Sequence, residues 1–387
     1  MNIPKRILPV IVLSQFCCTS LWFAGNGVMG DLISTFSLQE SALGHLTSAV
    51  QFGFISGTLF FAILTIADRF SPSKVFLISA LLGSLFNLGI LFSGNTLSSL
   101  VVLRFFTGFF LAGIYPVGMK IATDYYDKGL GKSLGFLVGA LVVGTAFPHL
   151  LKGITALFSW KTVIMSTSTL AVFGGVLMFG FVSDGPFRKA SQKVDISAFF
   201  KVFENKSFRA AAFGYFGHMW ELYAFWAFVP IMLKSYSVLH PELQLNIPFF
   251  SFLIIGIGGL ACVLGAYVAQ SVGTKRTAII LLALSCLCCF AAPIILSMNS
   301  IYLLIAFLLF WGMVVVADSP LFSTLVAQNT LAESKGTALT IVNCIGFSIT
   351  ILSIQLLSAM STFVVSNWIF SLLAIGPLLG LFALKRK

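Results

Sequence analysis

Charge is scarce in this sequence. Of 387 residues only 9% are Asp, Glu, Lys or Arg, and just 12 are acids, whereas soluble domains carry about 25% charged residues. A water-facing surface cannot be built from so few charges, which excludes a cytosolic enzyme, a nucleic-acid binder and a disordered tail. Paired cysteines are lacking as well. Cys17, Cys18, Cys262, Cys286, Cys288, Cys289 and Cys344 all lie inside apolar runs. They lack zinc-site spacing and read as small buried hydrophobes. His45, His149, His218 and His240 lack ligand spacing too, so neither a metal centre nor an enzyme within the bilayer is indicated. No Gly-x-x-x-x-Gly-Lys-Ser/Thr loop is present, so ATP drive is not indicated and no cofactor is expected.

What fills the sequence instead is apolar: 58% of residues are hydrophobic, with 41 Phe. A helix needs about 20 largely apolar residues to span a bilayer. Cutting at polar and Gly/Pro/Asn breaks predicts twelve spans, at 7–30, 41–66, 73–94, 97–120, 131–154, 159–182, 208–234, 247–271, 275–297, 300–326, 334–358 and 362–384. Continuous runs rather than ten-residue alternation argue against a barrel. The expected fold is therefore an all-α multi-pass membrane protein, embedded in a lipid bilayer and monomeric.

The formal charge of +11 reports orientation. All but four of the 23 basic residues fall on loops that share a side with both termini; the exceptions are Lys152, Lys161 and Lys234 opposite, and Arg104 within a helix. The positive-inside rule then predicts cytoplasmic termini, as expected in a bacterial inner membrane. The least apolar stretch divides the chain into a six-helix bundle (1–182), a cytoplasmic central loop (183–207) and a second six-helix bundle (208–387). In that loop Phe199, Phe200 and Phe203, interleaved with Lys201 and Lys206, suit either an amphipathic surface helix or a plain linker. A shift of 202 residues sets ADRFSPSKV over AQSVGTKRT, placing Asp68 on Gln270, Ser71 on Gly273 and Lys74 on Arg276. With six helices on either side, this suggests duplicated halves.

The loop ADRFSPSKV resembles the Gly-x-x-x-Asp-Arg-x-Gly-Arg-Arg signature of the major facilitator superfamily. Asp68 and Arg69 match it, Leu64, Ser71, Pro72 and Ser73 depart from it, and the basic Lys74 follows directly after it. LVVLRFFTG likewise resembles that family's Leu-x-x-x-Arg-x-x-Gln-Gly pattern through Leu100, Arg104 and Gly108, with Thr107 in place of Gln. The resemblance implies two pseudo-symmetric bundles and alternating access. It also implies that Asp68 and Arg69 belong to a cytoplasmic latch, and it links Arg104 to proton transfer. The fifth segment, GFLVGALVVG, departs from the family's antiporter motif at Ala140 and Val143, which favours symport over export.

Charges within the spans are costly and mark function. Three stand out: Arg104, Glu221 and Asp318. Glu221 sits in GYFGHMWELYAFWAFVP, three residues after His218 and so on the same helical face. A carboxylate in so apolar a setting resists ionisation unless a cation pairs with it, which suits a proton carrier with His218 as relay; a structural contact between helices is the alternative. Asp318 precedes Pro320 by two residues and either joins the coupling or satisfies backbone groups that the proline disturbs. Arg104 suits a substrate anion or a helix-to-helix hydrogen bond. Tyr215, Trp220, Tyr223, Trp226, Asn26, His149 and Asn343 are further candidates for lining a substrate cavity. Lys120 and Asp124 join Asp68, Arg69 and Lys74 as candidate cytoplasmic gate charges. The expected function is transport of a small organic solute, driven by a proton gradient through symport. Proton-driven efflux of drugs or a siderophore, or a non-transporting sensor on the same fold, are the alternatives.

Overall fold

The computed structural model describes residues 4–126, 130–154, 159–188, 202–330, 335–363 and 366–385. Helices α1 to α10 are Ile7–Thr19, Ala24–Gly27, Met29–Thr35, Ala42–Ile63, Ile66–Arg69, Pro72–Leu88, Leu97–Leu111, Tyr115–Tyr125, Leu130–Ile154 and Trp160–Phe181. Helices α11 to α17 are Lys206–Leu239, Ile247–Val272, Thr274–Ile295, Ile301–Ala317, Ser319–Gln328, Lys335–Phe363 and Ile375–Lys385; a 3-10 stretch, Asn367–Ala374, leads into α17. Among the described residues, eleven helical segments are long and apolar enough to cross a membrane. In hydrocarbon only such internally bonded backbones are stable.

The boundaries follow side-chain caps at the polar breaks. Thr96 and Ser99 form a capping box at the start of α7, and Asn205, Asn246 and Ser300 accept backbone N–H groups at the starts of α11, α12 and α14. Such caps satisfy amide groups that a helix start leaves without partners.

The first segment corrects the expectation of one helix over 7–30. It is broken: α1 stops at Thr19, and the chain turns before α2 and α3. Thr19 Oγ1 and Ser20 Oγ donate back to the carbonyls of Gln15 (2.8 Å) and Cys17 (2.7 Å), a local competition that disfavours helix continuation. Gly25, Gly27 and Gly30 follow and weaken it further. Even so, the three pieces reach across the molecule, from the chain-end face to the Asp31–Lys152 ion pair (2.9 Å) at the far face. Two later spans are also interrupted, at Ala112–Ile114 between α7 and α8 and at Asp318 between α14 and α15, each with a proline in the following first turn.

Helices pack at backbone contact where glycine allows it. A Cβ on Gly53 of α4 would collide with the Phe105 carbonyl of α7, and one on Gly108 with the Val50 carbonyl. Such small-residue contacts replace the hydrophobic driving force that lipid removes. The helices before and after residue 183 meet along two seams, α9 with α12 and α4 with α16. The first is close: a Cβ on Gly139 would lie 2.8 Å from the Gly259 carbonyl. The second closes at the face away from the chain ends, where Gln355 Nε2 donates to Ser48 Oγ at 2.9 Å. Towards the chain-end face, a wedge opens between them.

Candidate functional site

The wedge holds a cavity of about 360 Å³. Its walls come from α4, α8, α15 and α16. Thr58, Pro116, Thr340 and Asn343 lie deep in it, and Asp68, Lys120 and Thr337 towards its mouth. Chain order shows what lies beyond. Along α4, Thr58 lines the cavity, Phe54 comes one turn further, and Ser48 is in the closed seam; along α16 the order is Asn343, Phe347, Gln355.

Between cavity and seam stands an aromatic septum built by both halves. Trp22 and Phe54 come from the first half, and Tyr223 and Phe347 from the second. Ring centroids are 4.8 Å apart for Trp22–Phe54, 4.5 Å for Phe54–Phe347, 5.3 Å for Tyr223–Phe347 and 5.8 Å for Trp22–Tyr223. Trp226 packs edge-on against Tyr223 at 5.0 Å. All five rings are buried, so the septum excludes water where the halves meet.

The acids lie beside the wedge, inside the second half. Glu221 is buried, and three donors converge on its Oε1: Ser285 Oγ at 2.5 Å, Trp311 Nε1 at 2.6 Å and Cys289 Sγ at 3.3 Å. These tie α11 to α13 and α14. His218, expected as the relay for Glu221, is paired elsewhere: its Nδ1 lies 2.8 Å from Asp318 Oδ1. The break in α14/α15 turns this carboxylate towards α11, and it makes no side-chain cap on the helix that Pro320 begins. Asp318 Oδ2 and His218 Nε2 have no hydrogen-bond partner among the described residues. The pair reaches towards the wedge through Tyr215, whose ring lies 5.9 Å from that of His218 and whose hydroxyl donates to the cavity-lining Asn343 at 3.1 Å.

Four of the expected substrate contacts lie away from the cavity lining. Arg104 is buried, with Nη1 donating to the carbonyl of Leu21 at 3.1 Å and to Asn87 Oδ1 at 3.3 Å, and Nη2 to the carbonyl of Trp22. The guanidinium thus serves the carbonyls freed by the break in the first segment, a task suited to its planar fork. Trp220 Nε1 donates to the Leu372 carbonyl at 3.0 Å, within the second half. Asn26 donates to Thr47 Oγ1 at 2.8 Å on the far side of the septum. His149 is buried beside Pro148, which packs on Gly27, and its Nε2 has no partner among the described residues.

Of the gate charges, Lys120 pairs with Asp68 at 2.9 Å and with Asp124 at 3.6 Å. Arg69 Nε donates to Thr65 Oγ1 at 3.1 Å, and Lys74 is exposed. Arg188 joins them, pairing with Asp184 and donating to the carbonyls of Asp68 and Phe70 at 2.9 Å each. These partners lie in the first half and the loop after it; none reaches across the wedge among the described residues. Phe199, Phe200 and Lys201 of the central loop lie outside the described residues.

Sequence reasoning missed Ser285, Cys289 and Trp311 as partners of Glu221, and Phe54 and Phe347 in the septum. Each lies in an apolar run typical of any span, and its partner is tens of residues away or more.

Comparison with known proteins agrees with this architecture. The family described as the Major Facilitator Superfamily matches residues 11–354. Among curated proteins, none matches. Three solved structures share the fold. A bacterial homologue of the human lysosomal transporter Spinster, inward-facing and unoccupied, is 16% identical with a TM-score of 0.70, over 94% of this chain and 84% of that one. The nucleoside transporter NupG, as a mutant, is 13% identical with a TM-score of 0.74, over 98% of each chain. The xylose transporter XylE from E. coli, inward open, is 16% identical with a TM-score of 0.75, over 98% of this chain and 95% of that one.

Proposed function

The chain belongs to the major facilitator superfamily, a transporter family rather than an enzyme family, and from that premise we propose that it is a proton-coupled symporter of a small uncharged organic solute. In this reading the broken first segment is a twelfth crossing, and both termini face the cytoplasm of a bacterial inner membrane, as the Lys/Arg distribution suggests. The wedge is then the inward-open state of an alternating-access cycle.

The observation that carries the reading is the wedge itself, sealed by aromatic rings at one end and joined sideways to an acid–histidine pair. Deep in the cavity the polar groups are hydroxyls and an amide (Thr58, Thr340, Asn343), while its charges, Asp68 and Lys120, are paired towards the mouth. Such a lining suits hydroxyl- or amide-bearing solutes better than ions, since a charged ligand would be desolvated without a counter-charge. The His218–Asp318 pair is neutral when it holds one shared proton and carries a single net charge when it loses that proton, so the cost of burying it changes with its protonation. Tyr215, whose ring packs near that of His218 and whose hydroxyl donates to Asn343, connects the pair to the cavity wall, so that occupancy of the cavity and protonation of the pair are linked. Glu221, held by three donors, keeps α13 and α14 against α11 and is the second candidate carboxylate.

Proteoliposome flux against a panel of sugars, nucleosides, amino acids and organic ions, with an imposed pH gradient, tests this. Uphill uptake of a neutral solute, lost in Asp318→Asn while solute counterflow persists, is the expected result. Gradient-independent flux in both proteins would overturn the coupling. Flux of cationic drugs or of a siderophore against the gradient would replace import by efflux, and absence of any flux would favour a sensor.

A further inference from the structure

At the chain-end face, α11 and α17 leave a groove of about 730 Å³ beside their crossing, lined by Lys206, Arg209 and Phe213 on α11 and by Leu379 and Phe382 on α17, with alanines between them. The crossing is tight, since a Cβ on Gly217 would collide with the Gly376 carbonyl. The groove is therefore framed by two helices locked together. Phe213 is 50% exposed and Leu379 and Phe382 are each 67% exposed, which in a membrane protein means facing lipid.

The order of chemistry along the groove is directional. Lys206, Arg209 and Phe213 are spaced three and four residues apart, so they share one helical face. At 1.5 Å per residue, Phe213 lies about 10 Å deeper along the helix axis than Lys206. Two cations thus stand at the rim, and exposed apolar side chains lie below them. The lining includes no acid among the described residues; Glu204, two residues before Lys206, is exposed and outside the groove. The amide groups at the start of α11 do not supply the attraction, because Asn205 already caps those of Ser207 and Phe208.

A rim of two cations above an apolar trough matches the profile of a phospholipid, with phosphate at the interface and acyl chains below it. The net positive lining selects a net negative headgroup, and the Arg fork suits two oxygens of one phosphate. We propose that this groove binds an anionic phospholipid, with its phosphate between Lys206 and Arg209 and an acyl chain along Phe213 and Leu379. The site is independent of what is carried through the wedge.

The test is lipid titration of the purified full-length protein in detergent micelles, read by native mass spectrometry, using phosphatidylglycerol and phosphatidylcholine of matched chains. Phosphatidylglycerol is expected to bind more tightly than phosphatidylcholine. The double variant Lys206→Gln/Arg209→Gln should weaken it about 30-fold, since each interfacial cation contributes about a factor of five. Lys206→Arg/Arg209→Lys should retain binding, and Lys275→Gln/Arg276→Gln, in the first turn of α13, should leave it unchanged. The proposal is overturned if the Gln pair binds phosphatidylglycerol like the wild type, or if the Lys275/Arg276 variant loses as much. It is equally overturned if phosphatidylcholine binds as tightly, or if millimolar inorganic phosphate displaces the lipid, which would make the site one for free phosphate.

Discussion

Among the described residues, the charge buried mid-membrane in the first half is a cation, and its partners are mainly backbone carbonyls; in the second half the charges so buried are carboxylates whose partners are side chains. Arg104 is held by the carbonyls of Leu21 and Trp22 and by Asn87. Glu221 is held by Ser285, Trp311 and Cys289, and Asp318 faces His218. The 202-residue shift that aligns the two halves places Thr19 opposite Glu221. Where the first half has Thr19 and Ser20 its leading segment breaks, and where the second has an acid the corresponding helix runs unbroken from Lys206 to Leu239. A guanidinium bound to carbonyls is a fixed strut, because neither side can give up a proton at physiological pH. A carboxylate beside an imidazole can change its proton count. In the proposed symport cycle the first half would supply the rigid strut and the second half the protonatable pair.

Mutations can break that comparison. The largest effect is expected from Asp318→Asn or His218→Gln, which should abolish uphill uptake in a pH gradient while sparing counterflow. Uphill uptake at wild-type rate in both variants would remove the second half's assigned role. Next comes Arg104→Ala, which strands two carbonyls and an amide. With charged-group hydrogen bonds at roughly 1.5–3 kcal/mol each, a loss of about 3 kcal/mol or more is expected in reversible unfolding, with Lys restoring only part of it. Glu221→Gln keeps an oxygen that can still accept from Ser285 and Trp311, so about 1–2 kcal/mol should be lost. A larger loss than Arg104→Ala would reverse the claim that the first half holds the strut. The smallest effect is expected for Asp31→Asn, which breaks a partly exposed ion pair with Lys152; thermal unfolding should show less than about 1 kcal/mol.

Much of the fold was legible because spans are local. An apolar run of sufficient length declares a helix whatever its neighbours do, and Thr96, Asn205, Asn246 and Ser300 mark starts by capping their own next turn. Less legible was the break after Thr19. Its signals, Thr, Ser and scattered Gly, are tolerated inside many membrane helices, and the break persists because Arg104, more than eighty residues away, serves the freed carbonyls. The candidate site divides in the same way. Glu221, His218 and Asp318 stood out because charge is costly in lipid. Their pairing did not: spacing put His218 and Glu221 on one face, but the side chains turn to different neighbouring helices.

Composition and hydrophobic run length alone determined that this is a helical membrane protein with few intramembrane charges, since the bilayer penalises every exposed polar group wherever it falls in the chain. Tertiary structure decided which groups meet: Arg104 with the carbonyls of the broken segment, His218 with Asp318, and four rings from two halves in one septum. Those contacts join residues far apart in sequence, and they depend on how helices rotate and cross, which no local pattern encodes.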